Sequence, residues 1–181
     1  PWKMRWIPKK YPFVGKSKER AIRKKFFTSQ PAYGHHELIV ETRGSNQLWD
    51  FKVTQIKQLL QLYSQRIKDI MKDKKVRYVQ IFKNHGEKAG ASLAHSHSQI
   101  VATSVIPPQL REEIDASKKF GKSCYRNIMA AERKGPRKCF ETKNVLAFAP
   151  FASRINFEVW VFPKRYVRTL EELSSREVQE L

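Results

Sequence analysis

The sequence predicts an α+β fold assembled from two related halves, and three observations carry that expectation. Short runs rich in β-branched and aromatic residues, such as "HELIVET", "VRYVQIF" and "INFEVWVFP", have strand patterning. Between Asn46 and about Lys72 the apolar residues fall instead at helical spacing, from Leu48, Phe51 and Ile56 through Leu59, Leu60 and Tyr63 to Ile67, Ile70 and Met71. Lastly, "RWIPKKYPFV … HHELIVET … QLWDF" and "VLAFAPFAS … INFEVWVFPKRYV … LEEL" share one layout: strand, proline-marked turn, strand, helix. With 181 residues, 40% of them hydrophobic, the chain is long enough to bury a core in one domain or two small ones.

Taken in order, "RWIPKKYPFV" reads as a short extended segment, because Pro8 and Pro12 keep it from being helical. "KSKERAIRKK" is a basic stretch that suits a solvated helix or an arm ordered by a partner. "HELIVET" is a strand, the segment from Asn46 to Lys72 a long helix, and "VRYVQIF" (76–82) a second strand. A loop with Gly86 and Gly90 follows, then a strand near 95–106. Pro107 and Pro108 stop that strand and open a helix over roughly 109–133. "CFETKNVLAFAPF" and "INFEVWVFP" are further strands, and "LEELSSREVQEL" is a closing helix. The expected organisation is a basic aromatic arm and first strand over 1–27, a first unit over 28–108, and a linking helix with a partial second unit over 109–181.

Lys and Arg number 36 against 17 acids, a formal net charge of +19. So large an excess repels itself unless a polyanion neutralises it, which points to nucleic acid. The charge concentrates in two zones. The first holds Lys3, Arg5, Lys9, Lys10, Lys16, Lys18, Arg20, Arg23, Lys24 and Lys25, opposed only by Glu19. The second holds Lys118, Lys119, Lys122, Arg126, Arg133, Lys134, Arg137 and Lys138. Trp2, Trp6 and Tyr11 are placed to stack on unpaired bases, although core positions are favoured for Tyr11 and Phe13. No apolar run approaches the roughly 20 residues that span a bilayer, and no basic amphipathic helix suits a membrane surface. Pro1 is not an initiator, so any targeting peptide lies outside this sequence. Cys124 and Cys139 stand apart, with neither a CxxC nor a disulfide pattern.

The stretch most suggestive of chemistry is "GEKAGASLAHSHSQIVAT", Gly86 to Thr103. Alternation on a strand puts His95, His97 and Gln99 on one face, with Ser96 and Ser98 on the other. Gly90 permits close backbone approach to a phosphate and Ser92 adds a hydroxyl. An imidazole beside such a cradle is equipped to attack phosphorus. Two alternatives stay open: a pair of metal ligands, which is too few for a tetrahedral site, or a pair of histidines hydrogen-bonded within a sheet.

"FKNHGEKAGASLAHSHSQ" resembles the active-site signature of galactose-1-phosphate uridylyltransferases and related nucleotidyltransferases of the histidine-triad (HIT) superfamily. "IPKKYP", "HELIVET", "VIPP", "FAPFAS" and "FEVWVFPKRY" extend the resemblance over most of the chain. It implies a HIT-like antiparallel sheet with helices, here one complete HIT unit plus a partial second unit. The implied reaction is ping-pong nucleotidyl transfer through a covalent nucleotidyl-histidine. On that pattern His97 is the nucleophile and Gln99 hydrogen-bonds the phosphoryl oxygens. Asn84, Gly90 and Ser92 take the nucleotide- and phosphate-side positions, and His95 a zinc-ligand position. Glutamine in place of a third histidine provides no proton relay, which favours a sugar phosphate over water as acceptor.

The chain also departs from that pattern. Gly44, Ser45 and Asn46 stand where metal-binding members have a histidine, Tyr166 replaces another, and Lys9 replaces an asparagine near the nucleotide. His95 is left without partners, so no metal or other cofactor is expected unless the chain is an active enzyme with zinc. Two readings follow. The favoured one is a HIT-fold protein recruited into a ribonucleoprotein, with transferase activity lost and with ribosomal RNA and ribosomal proteins as partners. A mitochondrial ribosome is the expected setting, the cytoplasm otherwise. The alternative is an active nucleotidyltransferase that takes a nucleotide sugar.

Overall fold

The computed structural model describes residues 2–17, 20–91, 93, 95–121 and 123–181. The predicted site residues Lys18, Ser92 and Lys122 lie outside them. The chain forms two compact units, Pro1–Ile106 and Pro107–Leu181.

In the first unit, β1 (Arg5–Pro8), β4 (Gly34–Val40), β6 (His97–Thr103) and β5 (Tyr78–Phe82) form an antiparallel sheet in the order β1-β4-β6-β5. Its inner strands are nearly sequestered from water. Helix α1 (Val53–Ile70) covers one face, joining Leu59 and Ile70 to Ile39, Val76, Ile100 and Ala102 in the core. This long helix is shorter than its apolar spacing predicts. Leu48–Asp50 is a separate 3-10 turn in which the Asp50 carboxylate accepts the Gln47 N–H at 2.8 Å, and α1 starts afresh after Lys52, whose N–H donates to Gln55.

The described residues 20–25 of the basic stretch form no helix. β2 (Ile22–Lys24) and β3 (Phe27–Ser29) pair as a hairpin, with Lys25 at a positive φ of 45° in the turn. Its charges resemble a solvated helix face, yet Ile22, Phe26 and Phe27 stand exposed. Tyr11 and Phe13, expected in the core, are exposed as well.

In the second unit, the helix predicted over 109–133 is two: α2 (Pro108–Lys119) and α3 (Cys124–Lys134). Gly121, at φ +77°, takes the left-handed conformation that ends α2, donating its N–H to Lys118. β7 (Lys138–Glu141), β8 (Val145–Phe148) and β9 (Trp160–Pro163) form an antiparallel sheet whose middle strand is wholly buried. Residues 155–159, predicted as strand, form a turn instead, with Phe157 at φ +63° and the Glu158 carboxylate accepting the Arg154 N–H. The closing helix α4 (Ser175–Glu180) begins at a Ser174–Glu177 capping box.

The close approach of β4 to β6 requires Gly34. A Cβ there would lie 1.8 Å from the Ala102 carbonyl oxygen, whereas Gly15 has open space around it. Gly34→Ala is therefore expected to lower unfolding stability by about 1–3 kcal/mol in urea titration. The control Gly15→Ala should stay within about 0.5 kcal/mol of the parent chain.

Candidate active site

β6 begins at His97, which pairs with Val40 of β4, and Gln99 lies between Leu38 and Phe82. Alternation places His97 and Gln99 on the sheet face opposite α1, as the pattern predicts. His95 does not join them in the strand. It sits in the bend before β6, and its Nδ1 lies 3.0 Å from the Gly44 carbonyl oxygen.

The His97 ring is 4% exposed, and its Nδ1 is 2.8 Å from the His95 carbonyl oxygen. A carbonyl only accepts, so Nδ1 carries the proton. In the neutral ring Nε2 then holds a lone pair, and no described residue bonds to it. His97 lines a cavity of about 470 Å³ together with Asn84, His85, Leu93 and His95. The arrangement offers an imidazole with an unengaged nitrogen, in a residue that borders open space.

Behind His97, on the α1 side, lies a carboxylate that the sequence reading did not single out. Glu41 has no exposed side-chain surface. Lys83 donates to it at 2.7 Å, Ser96 at 2.5 Å and Tyr63 at 3.2 Å, and Ser98 completes the set. The Lys83 ammonium also reaches Ser96 Oγ and the His97 carbonyl oxygen. Burial pushes the Glu41 carboxyl up, but the hydrogen bonds from Lys83, Ser96 and Ser98 outweigh it and leave it below its ordinary value. Burial above all raises the Tyr63 phenol. The signal for this network was present: Glu41 ends one strand, Lys83 follows another, and Ser96 and Ser98 share their face.

The described part of the glycine loop is a tight turn. Gly86 and Gly90, at φ +80° and +78°, bracket a 3-10 turn, and the side chain of Asn84 lies against Gly90. The N–H groups of Ala89, Gly90 and Ala91 donate to Gly86 and Glu87 carbonyls within the loop. Those three amides are thus engaged and do not form the expected phosphate cradle.

A zinc ion does not fit the residues present. His95 Nδ1 is directed to a backbone carbonyl, and no three His, Cys, Asp or Glu side chains converge among the described residues. The two basic zones also part company. In the second, Lys118 pairs with Asp115, Arg137 with Glu132, and Arg133 and Lys138 with Glu141; Lys119, Arg126 and Lys134 make no ion pair with a described residue. In the first, none of Lys3, Arg5, Lys9, Lys10, Lys16, Arg20, Arg23, Lys24 or Lys25 pairs with an acid among the described residues.

Residues 11–107 match the family model of the galactose-1-phosphate uridyl transferase N-terminal domain. The chain is 32% identical over 167 residues to an ADP-glucose phosphorylase of Arabidopsis thaliana, covering 90% of this chain and 48% of the relative. To a galactose-1-phosphate uridylyltransferase of Thermotoga maritima it is 34% identical over 158 residues, covering 85% and 50%. It superposes on a uridylyltransferase mutant with a TM-score of 0.90 at 30% identity, covering 99% of this chain and 59% of that one. For the Arabidopsis thaliana ADP-glucose phosphorylase with bound ADP-glucose the TM-score is 0.84 at 27% identity, with 98% and 56% covered. The chain thus spans about half the length of these curated relatives.

Glu41→Gln leaves the Lys83 ammonium without its counter-charge and is expected to cost about 2–4 kcal/mol in urea unfolding, with Lys83→Met in the same chain recovering part of the loss. Because folding depresses the Glu41 carboxyl, its contribution is present above the ordinary carboxylate range and is lost as pH falls through the folded value. The variant should therefore show a flatter acid limb.

Proposed function

Because the chain belongs to the galactose-1-phosphate uridyl transferase family, we propose that it transfers a nucleotidyl group through a covalent bond to His97. The donor is a nucleotide sugar and the acceptor a phosphate or sugar phosphate. The His97 tautomer carries this reading: its Nδ1–H is held by the His95 carbonyl, its Nε2 is bonded to no described residue, and the residue borders the cavity. In the first step the Nε2 lone pair attacks the phosphorus of the nucleotidyl group. The bond from that phosphorus to the bridging oxygen breaks, and the sugar 1-phosphate departs with the bond's electrons. The ring is then an imidazolium, whose Nδ1–H bond to the carbonyl strengthens as positive charge develops. In the second step an acceptor phosphate oxygen attacks the same phosphorus and the P–N bond returns its electrons to Nε2. Gln99 supplies amide N–H donors to the phosphoryl oxygens and holds no proton to pass to water. The chain's fit to a zinc-dependent member is poor, and no step uses a metal.

The fold and the relatives support this reading over recruitment to a ribosome, in mitochondria or elsewhere. A separate observation favours a second role beside it. The cations of the first basic zone that pair with no acid among the described residues, four of them on the β2–β3 hairpin or its approach, suit an RNA backbone. That surface has no counterpart in the second zone, where acids neutralise several of the cations. Replacing Arg20, Arg23, Lys24 and Lys25 by glutamine should flatten the log–log salt dependence of single-stranded RNA binding by about 3 units. An unchanged slope would remove this role. Deleting residues 1–25 is not a clean test, because it removes β1 from the sheet.

The transfer reading is tested by incubating the protein with a nucleotide sugar labelled in its nucleotidyl group. Acid-labile label should appear on His97, vanish in His97→Ala, and form about 10- to 1000-fold more slowly in Gln99→Ala. Absence of label from the parent chain would refute the reading.

A further inference from the structure

We infer that His36 is a positioning residue that sets which end of the Gln99 amide meets the phosphoryl group, an inference that rests on the transfer reading above. The two side chains are diagonal neighbours on the sheet face that carries His97, since His36 pairs with Val101 and Gln99 with Leu38. His36 is 6% exposed, and its Nε2 lies 2.9 Å from Gln99 Oε1. An amide oxygen only accepts, so the proton of His36 sits on Nε2. Burial holds the imidazole below its ordinary value, against a smaller upward pull from the Gln99 bond, and the nearby Lys9 charge lowers it further. The neutral ring has one proton and spends it on Gln99. Its Nδ1 is left bare, buried and without a partner.

That orphaned nitrogen shows what the site favours. A ring placed only for packing would turn its polar atoms to water or to a backbone partner. This one is held instead. Phe13 lies against it at 4.3 Å between ring centroids, and its backbone carbonyl accepts the Lys9 N–H at 2.9 Å. Gln99 is the mirror case: its oxygen is engaged, and its NH2 donors find no acceptor among the described residues.

The shape of an amide is nearly unchanged by a half-turn, so packing cannot choose between its ends. A donor at His36 can. With the oxygen claimed, the NH2 end is the one presented to phosphoryl oxygens. Reversed, Gln99 would offer those oxygens its carbonyl and repel them. His36 therefore acts on the reaction through Gln99.

Two variants of the full chain separate this role from packing. His36→Leu fills the space without a donor, whereas His36→Gln restores an N–H. At saturating nucleotide sugar, His36→Leu should label His97 about 10- to 100-fold more slowly, and His36→Gln should regain most of the rate. The KM for the nucleotide sugar should move by less than about threefold in both, because the loss lies in the transition state. Labelling by His36→Leu at the parent rate, or equal slowing in both variants, overturns the inference. A proton–nitrogen correlation spectrum of the parent chain reads the same claim without activity. It should place the His36 proton on Nε2, and a proton on Nδ1 would overturn the inference even if labelling succeeds. A parent chain that takes no label but carries the Nε2 proton would refute the transfer reading while leaving the His36–Gln99 arrangement intact.

Discussion

The arrangement around His97 depends on one buried ion pair, Glu41 with Lys83. Removing a carboxylate from water is costly unless strong donors replace the water, and here lysine, two serines and a tyrosine do so. The four donors come from three places: Lys83 follows β5, Ser96 and Ser98 flank His97, and Tyr63 belongs to α1. One carboxylate therefore fixes where three strand ends and a helix meet. A slip of one residue in β6 would carry His97 to the helix side and Ser98 to the cavity. The pair guards against that slip, because only one register satisfies Glu41. Its worth lies in that specificity more than in net stability.

The bond from His97 to the His95 carbonyl depends on the same register. The carbonyl two residues back can meet Nδ1 only while the chain at 95–97 holds its bend, and Lys83 clamps that bend through Ser96 and the His97 carbonyl. The route thus runs from a buried charge through backbone geometry to a tautomer, and from the tautomer to an available lone pair. Gln99 is served in parallel by His36 from β4. Both reactive side chains are oriented by groups outside the HSHSQ motif.

Much of the fold was legible because apolar patterning reports burial. The strands at 34–40 and 97–103 are buried along most of their length, and the helix at 53–70 buries one face, so their apolar residues mark them out. The β2–β3 hairpin buries almost nothing, so its sequence carried charge but no period. Gly121 split one predicted helix into two through a left-handed turn, which apolar spacing does not register. In the site, the shared face of His97 and Gln99 was legible from alternation, and their candidate roles only from the resemblance to the family. Glu41 was hidden because a buried carboxylate reads, in sequence, like the polar end of a strand. The glycine loop misled in the opposite direction: its glycines meet the demands of a tight turn, and its amides are spent inside that turn. Net charge alone locates no surface, since +19 is a sum over residues and says nothing of which cations already have partners.

The central claim is that the fold delivers His97 with its proton on Nδ1 and its lone pair on Nε2. A long-range proton–nitrogen correlation spectrum of the full chain, recorded at alkaline pH with selectively labelled histidine, reads this directly. The account predicts a His97 pattern with Nδ1 protonated and Nε2 bare. A proton on Nε2 would contradict it, because the nitrogen that the carbonyl leaves free would then have no electrons to offer phosphorus.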